Sequence, residues 1–190
     1  GLLPEAKSVV AFAMEIWPEV LDHSKPQKTM GEASARELMG THSDYLTGRL
    51  NKAAYDLARA FRRQGLKALP MPASSYPTDD RYLRAILSYK HAAESAGLGT
   101  IGRHSLLVTP NYGPRVRLSC LLTQAELAPT ARLTDNLCDG CNECIATCPA
   151  GALSEPKNGD AYAINKFACK AFRTGAGDCS ECMRVCPMGR

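Results

Sequence analysis

The first apolar run, Ser8 to Met14 (SVVAFAM), is short and almost unbroken, and predicts a buried β-strand. From Asp22 to Gly40 the chain is polar, and Pro26, Gly31 and Gly40 predict a loop with at most one short helix. Between Asp44 and Gln64 the spacing becomes helical: Leu46, Leu50, Ala53, Leu57 and Phe61 recur on one face. Ser43 or Asp44 suits the cap of this helix, Arg62 and Arg63 suit its last turn, and Gly65 stops it. Leu66 to Met71 reads as a second strand, closed by Pro70 and Pro72. Thr78-Asp79-Asp80 predicts the start of a helix running to about Ser95, with Gly97 beyond it. Ser105 to Thr109 and Val116 to Thr123 read as strands joined by the turn-rich Pro110-Asn111-Tyr112-Gly113-Pro114.

After Thr123 the periodicity stops, and cysteines take over beyond Thr134. The pattern therefore predicts two domains: an α/β domain over 1–133 and a cysteine-rich domain over 134–190. Composition places the chain among ordinary folded proteins, with 45% hydrophobic and 22% charged residues. No apolar run is long enough to cross a bilayer, and Gly1-Leu2-Leu3-Pro4-Glu5 has no basic region before an apolar one. The first residue is not Met, so an upstream address is left open; without one, the expected location is the cytoplasm. A net charge of +4 with a single Trp and 6% aromatics gives no platform for nucleic acid, and no such partner is expected.

Eight of the nine cysteines lie between Cys138 and Cys186. Cys138, Cys141, Cys144 and Cys148 spell C-x2-C-x2-C-x3-C before Pro149, the spacing of bacterial [4Fe–4S] ferredoxins. Cys169, Cys179, Cys182 and Cys186 repeat the run before Pro187, with the first gap stretched and with Gly175 and Gly177 available to bend it. In such paired runs the fourth thiolate serves the other cluster. The rule predicts one cluster on Cys138, Cys141, Cys144 and Cys186, and a second on Cys148, Cys169, Cys179 and Cys182. Zinc sites with four thiolates also use C-x2-C pairs, but two interlocked runs each ending in Cys-Pro favour clusters. Cys120 is left over within an apolar strand and reads as a small buried hydrophobe. Two clusters, each carrying about −2 with its thiolates, bring the holoprotein near neutrality.

The link between the two halves, Ala96 to Thr123, reads AGLGTIGRHSLLVTPNYGPRVRLSCLLT. Its glycines permit close backbone approach to a ligand. Between Thr100 and Leu133, Arg103, Arg115, Arg117 and Arg132 against Glu126 leave the chain locally basic, which fits phosphate handling and equally a solvated surface. His104 reads as a hydrogen-bonding residue rather than a metal ligand.

AGLGTIGRHSLLVTP, YGPRVRLSCLLT and the paired cysteine runs together resemble the segment shared by epoxyqueuosine reductases and respiratory reductive dehalogenases. The opening LLPEAKSVVAFAM and the helix after Asp44-Tyr45 are similar to epoxyqueuosine reductases, whereas YGPRVRL and CKAFRTGAGDCSECMRVCP look more like the dehalogenases. The resemblance implies an α+β fold: a nitroreductase-like N-terminal domain, shorter here than in those families, followed by a bacterial two-[4Fe–4S] ferredoxin-like domain. It implies a cobalamin-dependent reductase whose clusters deliver single electrons for reduction of a small organic substrate. Gly99, Gly102, Leu106, Thr109 and Pro110 would then lie near the corrinoid, and Tyr45 is the candidate proton donor. Epoxyqueuosine reductases carry an Asp-Ser-Ala-Pro-like element with an acid in that role; this chain has Pro72-Ala73-Ser74-Ser75-Tyr76-Pro77. Expected partners are an electron donor such as a ferredoxin or flavodoxin, and a second copy or larger redox complex. The alternative is a ferredoxin-type electron-transfer protein whose N-terminal domain is degenerate or binds FMN.

Overall fold

The computed structural model describes residues 1–24, 36–74, 78–157, 159–176 and 178–189. In chain order the elements are β1 (Ser8–Glu15), α1 (Pro18–His23), α2 (Arg36–Arg63), β2 (Ala68–Pro70), β3 (Thr78–Asp79), β4 (Arg84–Ala85) and α3 (Tyr89–Ser95). There follow β5 (Thr100–Ile101), β6 (Leu107–Val108), β7 (Val116–Thr123), α4 (Glu143–Thr147), β8 (Leu153–Ser154), β9 (Ala163–Ile164), α5 (Lys166–Ala176) and α6 (Glu181–Arg184).

The chain divides into two compact units, each drawing on three segments. The first takes Gly1–Met14, Asp44–Gly99 and Arg117–Leu133. The second takes Glu15–Ser43, Thr100–Val116 and Thr134–Arg190, so the cysteine region is joined there by two earlier stretches of chain.

The first unit is built on a three-stranded sheet in the order β1-β7-β2. β2 runs antiparallel to β7, with Ala68 opposite Thr123 and Pro70 opposite Leu121. Pro70 is tolerated because β2 is an edge strand, where a missing N–H breaks no ladder. Every residue of β7 from Ser119 to Thr123 is buried, and successive side chains point to opposite faces. Cys120 and Leu122 join Met71 and Tyr89 on one side, while Leu121 packs with Ala58 and Ala68 on the other. A strand covered on both faces reads as a continuous apolar run, which is why the sequence marked it so clearly. Each fully buried Leu in this core contributes about 2 kcal/mol.

Two expected elements differ. α2 begins at Arg36, so Ser43 and Asp44 lie inside the helix instead of capping it. The loop expected from Asp22 to Gly40 falls largely on residues 25–35, outside the described residues. The helix expected from Thr78 to Ser95 is confined to Tyr89–Ser95, behind an antiparallel β3–β4 hairpin. Asp79 accepts from the Arg81 backbone N–H at 3.1 Å and from its guanidinium at 2.9 Å, and Leu83 turns at φ 47°. An Asp side chain bonded two residues ahead makes a turn as readily as a helix cap.

In the second unit β5 and β6 form a small hairpin, as do β8 and β9. The short α4 packs on α6 and on β8, and α1 packs on α6.

Candidate metal centre

The first cysteine run is a tight loop feeding a short helix. Cys141 N–H reaches back to Cys138 C=O at 3.2 Å, and Gly140 takes a positive φ of 65° to close the turn. Cys144 lies in α4, and Cys148 is the residue at which that helix ends. In the second run Cys169 is carried by α5, Cys182 by α6, and Cys186 follows Val185, the residue that caps α6. Gly175 lies within α5, and Gly177 is outside the described residues. The described reversal is at Asp178, with φ 73°, whose N–H bonds Arg173 C=O at 2.8 Å.

Four of these thiols are shifted by burial and by their neighbours' charge. Burial pushes Cys144 up to about 11, and the charges of Cys138, Cys141 and Cys186 add to the shift. Cys186 is raised by its burial and then by Cys138 and Cys141, with the Met188 N–H and Arg115 acting the other way. Cys169 is raised by burial and by Cys148 and Cys179, against the pull of Arg173. Cys182 is pushed up to about 12 by burial, with Cys179, Cys144, Cys169 and Cys148 contributing. Cys144 and Cys182, on the packed helices α4 and α6, are the link between the two runs.

Such thiols are neutral at pH 7 on their own and would become thiolates when a bound metal displaces their protons to solvent. All nine cysteines are free thiols. Eight thiols acting on one another, with Cys144 and Cys182 linking the two runs, are the kind of donor set that iron–sulfur clusters would take. A backbone donor is also aimed at sulfur, since Ala152 N–H lies 3.3 Å from Cys148 Sγ. Among the described residues no three His, Cys, Asp or Glu side chains converge on a single metal ion.

The β5–β6 hairpin is packed against the first run. A Cβ at Gly102 would lie 2.7 Å from Val108 Cγ2, 2.9 Å from His104 Cε1 and 3.0 Å from Cys138 Sγ. Arg103 donates to Asn142 Oδ1, and Asn142 donates to Glu155 at 2.6 Å. His104 is buried, and its Nδ1 accepts from Leu106 N–H at 3.1 Å, the hydrogen-bonding role expected of it. Thr109 closes the next turn: its hydroxyl donates to Gly113 C=O and accepts from Tyr112 N–H.

For a corrinoid the fit is different. Gly99, Gly102 and Thr109 are buried, Leu106 is half-buried and Pro110 is exposed. Gly102 and Thr109 are engaged by the second unit's own packing, leaving Leu106 and Pro110 as surface for a ligand. None of the five lines either of two cavities among the described residues. One, of about 10 Å³, lies among Pro18, Leu21, Asp22, Arg115 and Arg184. The other, of about 550 Å³, is an open groove beside Tyr55, Arg59, Arg62, Arg63 and Leu69.

Arg115, which the sequence offered as part of a basic face, is only 2% exposed. Its guanidinium donates to Met183 C=O and Cys186 C=O at 3.1 Å each, and to Met188 C=O. A buried cation is tolerated only when its hydrogen bonds are met, and these three hold the turn that carries Cys186. The YGPR string was visible in the sequence, but nothing in it said that its arginine points inward. Tyr45 is 60% exposed on α2, where its hydroxyl accepts from Arg49 at 3.2 Å.

No family model matches the chain. The epoxyqueuosine reductase of Bacillus subtilis (strain 168) is 28% identical over 204 residues, covering 100% of this chain and 49% of that protein. A tetrachloroethene reductive dehalogenase of Desulfitobacterium hafniense is 32% identical over 114 residues, covering 50% of this chain and 21% of that protein. A solved reductive dehalogenase, described as suggesting a mechanism for B12-dependent dehalogenation, superposes with a TM-score of 0.72 at 21% identity over 96% of this chain and 26% of its own. An epoxyqueuosine reductase crystallised with a tRNA-Tyr stem loop superposes with a TM-score of 0.57 at 23% identity, covering 99% of this chain and 50% of its own. The chain spans about half the length of the curated relatives it matches over its full extent.

Proposed function

We propose, from this kinship with epoxyqueuosine reductases and reductive dehalogenases, that the protein is an iron–sulfur oxidoreductase. In this reading its two [4Fe–4S] clusters pass single electrons to a corrinoid for reduction of a small organic substrate. What supports it is the C-x2-C-x2-C-x3-C run and its stretched repeat, with Cys138, Cys141 and Cys186 acting on Cys144 and Cys148 and Cys179 acting on Cys169; the reading assigns one cluster to Cys138, Cys141, Cys144 and Cys186 and the other to Cys148, Cys169, Cys179 and Cys182. The ferredoxin-like character of residues 134–190 and the nitroreductase-like character of 1–133 belong to the same reading, as does a one-electron donor of the ferredoxin or flavodoxin kind. Gly99, Gly102, Leu106, Thr109 and Pro110 are the corrinoid-side residues it names, with Leu106 and Pro110 offering surface. Tyr45, with Arg49 against its hydroxyl, is the proton donor it names.

A second reading is favoured by the engagement of Gly102 and Thr109 in internal packing. There the chain is a ferredoxin-type electron carrier whose N-terminal domain, 1–133, is degenerate or binds FMN. Anaerobic reconstitution separates the two. Iron and sulfide for two clusters, with one cobalamin retained through gel filtration, supports the reductase. Full clusters with FMN retained, or with neither cobalamin nor FMN, supports the carrier, and absence of clusters ends both.

A further inference from the structure

The two quartets differ in the charge built beside them. At the first, Arg115 is buried and fixed from both sides: its own N–H bonds Tyr112 C=O at 3.1 Å, and its C=O accepts from Ile16 N–H at 2.8 Å. Its fork ends on the carbonyls of Met183, Cys186 and Met188. The turns on either side of this contact interlock. Gly113 (φ +54°) lies directly against the Met188 carbonyl, and Gly189 (φ +71°) against the Tyr112–Gly113 backbone, so neither position has room for a Cβ. Asp22 and Arg184 line the small cavity beside Arg115, and Arg184 is itself bound to Glu181 at 3.0 Å.

The second quartet has a weaker neighbour. Arg173 acts on Cys169, but its side chain is half-exposed and paired with Asp178 at 2.8 Å. An exposed, paired guanidinium is screened by solvent and by its partner. A guanidinium held in a low-dielectric interior keeps its field.

Reduction adds one electron to a cluster that with its four thiolates already carries about −2, taking it to about −3 with no bond made or broken. A fixed positive charge stabilises the more negative state. Resting on the cluster reading above, we infer that Arg115 is a positioning residue whose buried charge makes the cluster on Cys138, Cys141, Cys144 and Cys186 the easier of the two to reduce. Electrons entering at the second cluster then run downhill to the first.

The test is a dithionite titration of the reconstituted protein, followed by electron paramagnetic resonance so that each cluster is read separately. Arg115→Gln should lower one midpoint on the order of tenfold in the reduction equilibrium, about 59 mV for one electron, and leave the other in place. Arg115→Lys should restore it. A fully loaded Arg115→Gln protein with both midpoints unchanged overturns the inference. Cys186→Ser supplies an independent test should the glutamine variant lose its iron. It should perturb the signal that titrates at the higher potential, and perturbation of the lower one overturns the inference equally. Should the unaltered protein bind no stoichiometric iron and sulfide, the cluster reading itself fails, and this one with it.

Discussion

Gly102 lies so close to Cys138 that a Cβ there would sit 3.0 Å from the sulfur. The neighbours on the remaining sides, Val108 and His104, are buried and have nowhere to retreat. Gly102→Ala should therefore displace Cys138 and release the cluster that it helps hold, leaving about half the iron, with the far-ultraviolet circular dichroism of the rest retained. Full iron in that variant would show that the loop yields.

Cys169→Ala should remove or convert one cluster and spare the other. Cys169 is coupled to Cys148 and Cys179, and Cys138 and Cys141 are not among the groups acting on it. Paramagnetic resonance of the reduced variant should retain the signal that Cys186→Ser perturbs. Loss of both signals would mean that the quartets are not independent sites.

Cys120 should stand apart from the other eight. It is fully buried in the first unit, and burial pushes its thiol up to about 12. At pH 8 almost none of it is thiolate, so alkylation of the folded protein should leave it unmodified until denaturant is added. Cys120→Ala should keep all the iron and lose about 1 kcal/mol of stability, a small cavity's worth.

Tyr45→Phe tests the proton donor. If the hydroxyl gives its proton to the reduced substrate, turnover should fall roughly 10²-fold or more, with iron content and KM little changed. Unchanged turnover removes Tyr45 from the role and leaves it a surface residue whose hydroxyl steadies Arg49.

The sequence disclosed most where one physical cause dominated. β7 is legible because both its faces are covered, and the cysteine runs stand out because their spacing is that of [4Fe–4S] ferredoxins. It disclosed less where two causes lead to the same residues. Thr78-Asp79-Asp80 satisfies a helix start and an Asp-bonded turn alike, and Arg81 tipped it to the turn. The family resemblance puts Gly99, Gly102, Leu106, Thr109 and Pro110 near a corrinoid; in the structure Gly102 closely approaches Val108, His104 and Cys138. Arg115 was invisible as a buried cation, because its three acceptors are carbonyls some seventy residues away and main-chain oxygens leave no mark in a sequence.

The second unit's construction from three separated stretches has a consequence for how the protein is made. In the cluster reading Cys186 must close on Cys138 across the whole of the second run, in a turn whose carbonyls Arg115 binds. Closing such long loops costs entropy that local helices cannot offset in advance. On a ribosome the first three thiols emerge well before their fourth partner. On the cluster reading, iron delivery late in synthesis would be the event that locks its segments together.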